Sequence, residues 1–310
     1  MAFEAGIANG QKDLLDRLEA FLTPLADWSI AFSIDNTASG GERLLCVSFT
    51  DGGTPVYCTY ETDLDYTYER LKAQISLSYD STKDALNQPQ SPRTETNSTH
   101  MAFISVPKTS QFNYWFFAGP EHLYIVCGMG DWFQHLYFGK LSTQGGYPNG
   151  YFLSGSASIG YYGNSGSDYN STNASYRSHP VGKSITYGSG WVRYKDSTWQ
   201  RMNYPSTTYP NINSAFSLSS AYPQYLDLQY PRSHPNAPVP VLLPVLFWDL
   251  DKVPVGYMPD AYFVLVDTLN AGQEITLGTD TYVVFPWWNK NYSWSTSWYA
   301  KLGVAIRKVV

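Results

Sequence analysis

The chain has 310 residues, enough for one large domain or two smaller ones. Only 15% are charged, the net charge is −6, and no run of Lys or Arg forms a stripe, which excludes a nucleic-acid footprint. The missing charge is replaced by 26 Tyr, 15 Phe, 10 Trp and 24 Gly together with Ser, Thr and Asn. Surfaces that meet protein or carbohydrate have this composition, and so do ordinary β-rich domains.

The opening MAFEAGIANGQKDLL has no basic region followed by an apolar run, so no secretory signal is expected. The amphipathic pattern begins directly after it. Leu14, Leu15, Leu18, Phe21, Leu22 and Leu25 recur at three and four, predicting a helix over 11–25. Asn9 is the expected N-cap. Pro24 puts the end near Thr23, because proline disfavours helical geometry in the residue before it.

Strands are predicted at 28–34, 44–50 and 55–61, separated by the turn signals SGGE and DGG. The stretch 64–79 reads two ways. Leu64, Leu71 and Ile75 suit a helix, whereas 75–79 alternates like a strand. Residues 82–99 are polar and read as a loop, with a strand at 100–107. A meander follows at 112–117, 122–127 and 132–141, turning at the GMGD of 128–131.

Residues 145–180 carry little aliphatic content and read as a loop, or as an arm ordered against a partner. A strand is predicted at 188–194. The segment 205–240 contains seven prolines, four of them in Tyr-Pro pairs, and is expected to be extended and irregular. Strands resume at 241–249, 261–267, 273–277 and 280–286, with a closing strand at 299–307. The longest apolar run, 239–248, contains two prolines and is far short of the roughly 20 residues that span a bilayer. No membrane insertion is expected. The fold class that follows is mainly β: an antiparallel, sandwich-like body with one N-terminal amphipathic helix and long irregular insertions. Its expected parts are 1–144 (helix plus β body), 145–240 (insertions or arms) and 241–310 (a C-terminal β subdomain).

Motifs for chemistry are sparse. Cys46, Cys58 and Cys127 give an odd count without C-x-x-C spacing, and are expected to be buried thiols rather than disulfide, redox or metal groups. His122 and His135 are the two histidines expected to meet. If Cys127 pairs with Trp132, His122 opposes Tyr137 and the two share a face diagonally. A two-residue register change would put them opposite each other. Two histidines do not complete a zinc site, so both are read as satisfied sheet residues.

Asp63/Asp65 and Asp249/Asp251 are spaced to project from one strand face about 7 Å apart, between the usual carboxyl separations of retaining and inverting glycosidases. Phe247, Trp248 and Tyr257 near the second pair would suit a sugar platform. Such pairs are also common solvated strand ends. No G-x-S-x-G elbow, P-loop or dinucleotide fingerprint is present. Trp287, Trp288, Trp294 and Trp298 form the densest tryptophan cluster, which reads as a carbohydrate platform, an interface anchor or a core plug. With Tyr161, Tyr162 and Tyr169 of the 145–180 segment they make up the candidate interaction surface. No catalytic residue, metal or cofactor is expected.

Three stretches carry a family resemblance. GIANGQKDLLDRLEAFLTPLADW, FNYWFFAGPEHLYIVCGMGDWFQHLYFGKL and GYMPDAYFVLVDTLNAGQEITLGTDTYVVFPWW resemble a group of virion structural proteins of tailed bacteriophages. Members open on a G-x-A segment and an L-L-x-x-L helix closed by Trp. They continue with a W-F-F-A strand leading to a His-bearing strand and one ending in F-G-x-L, and they close on a Y-x-V-F hairpin. The resemblance covers 1–34, 111–141 and 254–288. It implies a tail or baseplate component, assembled in the host cytoplasm, that contacts copies of itself and other virion proteins. A receptor- or glycan-binding tail-tip protein is the alternative, with a host surface glycan as partner. A polysaccharide depolymerase using Asp249 and Asp251 is the lesser one. The resemblance brings no catalytic residues with it.

Overall fold

The computed structural model describes residues 1–62, 70–81, 88–92, 102–143, 150–155, 190–193, 199–201, 213–214, 240–248, 254–266, 268–286 and 302–309. The chain opens on β1 (Ala2–Asn9), followed by the helix α1 (Gln11–Leu22). Then come β2 (Trp28–Asp35), β3 (Arg43–Asp51), β4 (Thr54–Thr62), β5 (Arg70–Ser76) and β6 (Ala102–Ser105). The aromatic block forms β7 (Gln111–Ala118), β8 (His122–Met129) and β9 (Trp132–Lys140). Short strands follow: β10 (Ser142–Thr143), β11 (Tyr151–Gly155), β12 (Gly190–Arg193), β13 (Trp199–Arg201) and β14 (Asn213–Ser214). The last five are β15 (Leu243–Trp248), β16 (Pro254–Leu265), β17 (Gln273–Leu277), β18 (Asp280–Pro286) and β19 (Leu302–Lys308).

These strands make three antiparallel sheets. The central one runs β1-β7-β8-β9-β11-β12-β13, the second β2-β3-β4-β5-β6, and the third β14-β15-β16-β19-β18-β17 with β10 paired onto β16. The fold is therefore mainly β, as its composition and turn spacing predict.

The strand period of two explains the layering. Along β7, Phe112, Tyr114 and Phe116 point to one side and pack with α1 and the second sheet. Trp115 and Phe117 point to the other side and pack with the third sheet. β8 and β9 divide in the same way: Leu123, Ile125, Leu136 and Phe138 face the second sheet, while Tyr124, Val126, Phe133 and Tyr137 face the third. A strand buried on both faces reads as a continuous apolar run, which is why 112–138 is so aromatic. The block is the middle layer of a three-sheet stack rather than an outer surface.

Four features depart from the sequence reading. First, residues 2–9 form a strand that pairs with β7 along its whole length, from Ala2 opposite Ala118 to Asn9 opposite Gln111. Its partner lies about a hundred positions away, so no local turn announces it. Second, Asn9 is not the N-cap. Gly10 takes that position at φ 94° and ψ 179°, a conformation open to glycine. A Cβ there would sit 1.8 Å from the Lys108 carbonyl oxygen. Asn9 instead donates its backbone N–H to Asp13 Oδ2 at 2.7 Å; the other end of the helix falls where Pro24 predicts, with Leu22 its last residue and Thr23 its C-cap.

Third, the two-way stretch resolves as strand over Arg70–Ser76, paired to β4. Fourth, the predicted irregular region contributes strands. β11 pairs with β9 and β12, and Tyr151, Phe152 and Leu153 bury side chains on both faces of the central sheet. The rest of 156–189 and nearly all of 205–240 lie outside the described residues.

Helix α1 closes one side of the space between the central and second sheets, with its buried stripe of Leu14, Leu15, Leu18, Phe21 and Leu22 in the shared core. Its polar side is fixed through Arg43 of β3, which bonds Asp16 and Glu19.

Candidate functional site

A polar arrangement that draws on all three sheets lies at the corner between β7 and β8. The corner is held by its backbone: Gly119 N–H donates to the His122 carbonyl at 2.8 Å, and Lys140 N–H donates to the Glu121 carbonyl at 2.8 Å. Trp28 Nε1 of the second sheet donates to the Gly119 carbonyl at 2.8 Å. Gly139 faces this corner at φ 155°. A Cβ there would sit 2.5 Å from the His122 Cα, so the close approach of β9 requires glycine.

Glu121 and His122 are neighbours that join two separate ion clusters. Glu121 Oε2 is 3.7 Å from Lys140 Nζ, which is 2.6 Å from Asp51 Oδ1 at the end of β3. Tyr151 of β11 donates its hydroxyl to Asp51 Oδ2 at 2.8 Å. On the other side, buried His122 places Nε2 3.2 Å from Asp260 Oδ2 of β16. That is ion-pair distance, but the alignment falls short of a hydrogen bond. Asp260, at φ 58°, is also held by Arg307 Nη2 of β19 at 2.7 Å, and Arg307 Nη1 lies 3.8 Å from Asp280. The result is a line of charged and ion-pairing side chains from the second sheet, through the central one, to the third.

The protonation states suit a clamp. Burial alone would raise the Asp51 carboxyl, but the Lys140 ammonium and the Tyr151 hydroxyl outweigh it and hold the carboxyl below its ordinary range. Burial likewise opposes ionisation of Asp260, and His122 and Arg307 override it. Tyr124 and Tyr137 are buried phenols, their pKa pushed well up. They remain donors, Tyr124 to the Pro259 carbonyl at 2.7 Å and Tyr137 to the Lys140 carbonyl at 2.8 Å.

A stability dependence on pH follows. Both carboxyls have folded pKa values below the unfolded value near 3.8, so their contribution is complete above about pH 4 and is lost as pH falls through the folded values. We expect the melting temperature to drop on acidification below about pH 4, and the drop to be shallower in Asp260→Asn. Thermal scans from pH 6 to pH 2.5 check this; an unchanged slope in the variant would remove Asp260 from the account.

The three cysteines are buried free thiols, as their number and spacing predict. Burial pushes Cys46 up to about 12 and raises Cys58 and Cys127 as well, so none is a ready thiolate. The histidines share one face, as predicted, but neither expected register holds. Met129 pairs with Trp132, which puts His122 opposite Gly139 and His135 opposite Val126. They stand four residues apart, each with its own partner, and His135 Nε2 lies 2.9 Å from the Pro286 carbonyl. Among the described residues no His, Cys, Asp and Glu group could hold a metal ion. No helix there is long and apolar enough to cross a membrane.

Trp287, Trp288, Trp294, Trp298, Tyr161, Tyr162 and Tyr169 all lie outside the described residues, and so do Asp63, Asp65, Asp249 and Asp251. One part of the sugar-platform reading is corrected. Phe247 is fully buried and meets Phe152 edge-on at 4.9 Å, so it belongs to the core between the central and third sheets. The charged line itself was not anticipated. Glu121 and His122 at a Pro-bearing corner are the local signal for it, but Asp51, Asp260 and Arg307 come from remote parts of the chain.

No family model matches the chain, and no curated protein matches it.

Proposed function

We propose that the chain is a structural subunit of a tailed-phage virion, a tail or baseplate component that acts through contacts with copies of itself and with other virion proteins. One observation carries this reading beyond sequence pattern. The three stretches that bear the resemblance are far apart in the chain yet fold as one contiguous unit. The first supplies β1 and α1, and β1 is hydrogen-bonded along the full length of β7. The second supplies the β7-β8-β9 meander. The third supplies β16, β17 and β18, and Phe263, Val283 and Phe285 from it pack on the meander's far face. A shared assembly body is expected to keep such a unit while the intervening segments vary.

The build suits assembly. A three-layer body is stiff, and β1, β2 and β17 end their sheets. Terminal strands are where another chain adds main-chain hydrogen bonds. The low overall charge fits extended contacts between subunits.

The test is the mass of the purified protein by light scattering, together with limited proteolysis of 145–240. A closed oligomer of defined mass with that region protected is the expected result. A monomer at every concentration, cut rapidly in 145–240, would overturn self-assembly and favour a receptor- or glycan-binding role.

A further inference from the structure

The outer face of the second sheet, turned away from the central one, carries a polar patch that is closed to solvent. Thr59 of β4 lies directly opposite Cys46 of β3 and Gln74 of β5, and Ser76 stands two residues beyond Gln74 on the same face. Thr59, Gln74 and Ser76 are each 1% exposed. Thr59 Oγ1, Gln74 Oε1 and Ser76 Oγ have no hydrogen-bond partner in the protein. The Cys46 thiol beside Thr59 is too weak a partner to count.

The cover over this face includes Tyr79, which stacks on Phe32 at 4.9 Å and lies 6.2 Å from Tyr57. The chain then folds back on itself. Ser78 Oγ donates to the Pro89 carbonyl at 3.4 Å, and Asp80 N–H donates to Gln88 Oε1 at 2.7 Å. Ser91, two residues beyond Pro89, carries a fourth buried oxygen without a partner.

Buried polar groups without partners each cost about 1–3 kcal/mol, and native proteins leave very few. Several on one face point to a bound species. We propose that this face holds a permanent internal water site, with ordered water bridging Thr59, Gln74 and Ser76 beneath the cover to which 77–81 and 88–92 contribute. The donor set selects the ligand. Gln74 Nε2 already donates to the Ile75 carbonyl at 3.3 Å, so Oε1 needs a donor. The hydroxyls can donate or accept a hydrogen bond. The nearest charges, Glu61 and Lys72, are paired with each other at 2.9 Å, so nothing here calls for an ion. A water molecule can donate to Gln74 Oε1 and exchange hydrogen bonds with both hydroxyls, and two to four polar partners are what a buried water takes.

The test is a crystal structure of the whole chain at a resolution that shows ordered solvent, beside that of Gln74→Leu. A water peak within hydrogen-bond distance of at least two of the three oxygens is expected, and it should be lost or moved in the variant. A dry contact, with the three oxygens turned onto protein groups, would overturn the proposal. The unsubstituted protein decides the question even if Gln74→Leu fails to fold, and the outcome is independent of any assembly role.

Discussion

Phe138→Ala is expected to lower the stability of the protein by about 3–5 kcal/mol, the range for deleting a buried aromatic ring. Phe138 is fully buried in β9 at the centre of the joint between the central and second sheets. Its ring lies 5.4 Å from that of Phe49 and 6.0 Å from that of Trp28. Trp28 cannot follow it into the space, because its indole is tied to the Gly119 carbonyl. The cavity therefore stays open and its full cost is paid. Phe285→Ala should cost a similar amount on the opposite face, where its ring meets Trp115 at 5.0 Å and Phe117 at 6.1 Å. The two changes lie on different sides of one sheet and share no contact, so their costs should add within about 0.5 kcal/mol. Ile7→Ala is the control, at a side chain 51% exposed, and should stay within about 0.5 kcal/mol of the parent. Urea unfolding of the parent, the three single variants and the Phe138→Ala/Phe285→Ala double variant checks all of this. A Phe138→Ala protein as stable as the Ile7→Ala control would mean that the two sheets are not joined through this ring.

The same residues show why some of the architecture is legible in the sequence and some is not. Strands β2, β3 and β4 are joined by short glycine-bearing turns, and their signals are local. β1 carries no such signal: it reaches its place only by pairing with β7, and its small residues Ala2, Ala5, Gly6 and Ala8 do not alternate strongly. The register of β8 on β9 turned on a two-residue difference. A four-residue GMGD turn fits the same letters, but the actual link is the pair Gly130-Asp131, with Gly130 at φ 62°. Tyr151, Phe152 and Leu153 are three apolar residues inside a polar stretch, too few for a pattern, and they become a strand because β9 offers an open edge. The charged line is the extreme case. Glu121 lies 70 positions from Asp51, and His122 lies 138 from Asp260; no spacing rule links residues brought together only by the stacking of three sheets.

Arg43 supplies the sharpest test of how electrostatics holds the helix to the body. Its side chain is 3% exposed, whereas those of Asp16 and Glu19 are 40% and 31% exposed. Its Nε donates to Asp16 Oδ1 at 2.8 Å, its Nη2 to Glu19 Oε2, and its Nη1 to the Ile34 and Leu44 carbonyls at 3.2 and 2.5 Å. The two sides of this pair are not equivalent. Removing both carboxylates by Asp16→Ala with Glu19→Ala strands a buried guanidinium without counter-charge, which should cost about 3–5 kcal/mol. Helix propensity cannot be the source, since alanine is the best helix former. Arg43→Met leaves carboxylates that turn to water, and Asp16 keeps Lys12 at 2.6 Å. Its cost should be about 1–2 kcal/mol, from two backbone carbonyls losing a donor. The order of the two effects is the prediction, read from urea midpoints at equal m-value. If Arg43→Met proves the more damaging, the guanidinium contributes through packing and its backbone bonds, and the carboxylates of α1 are solvated bystanders.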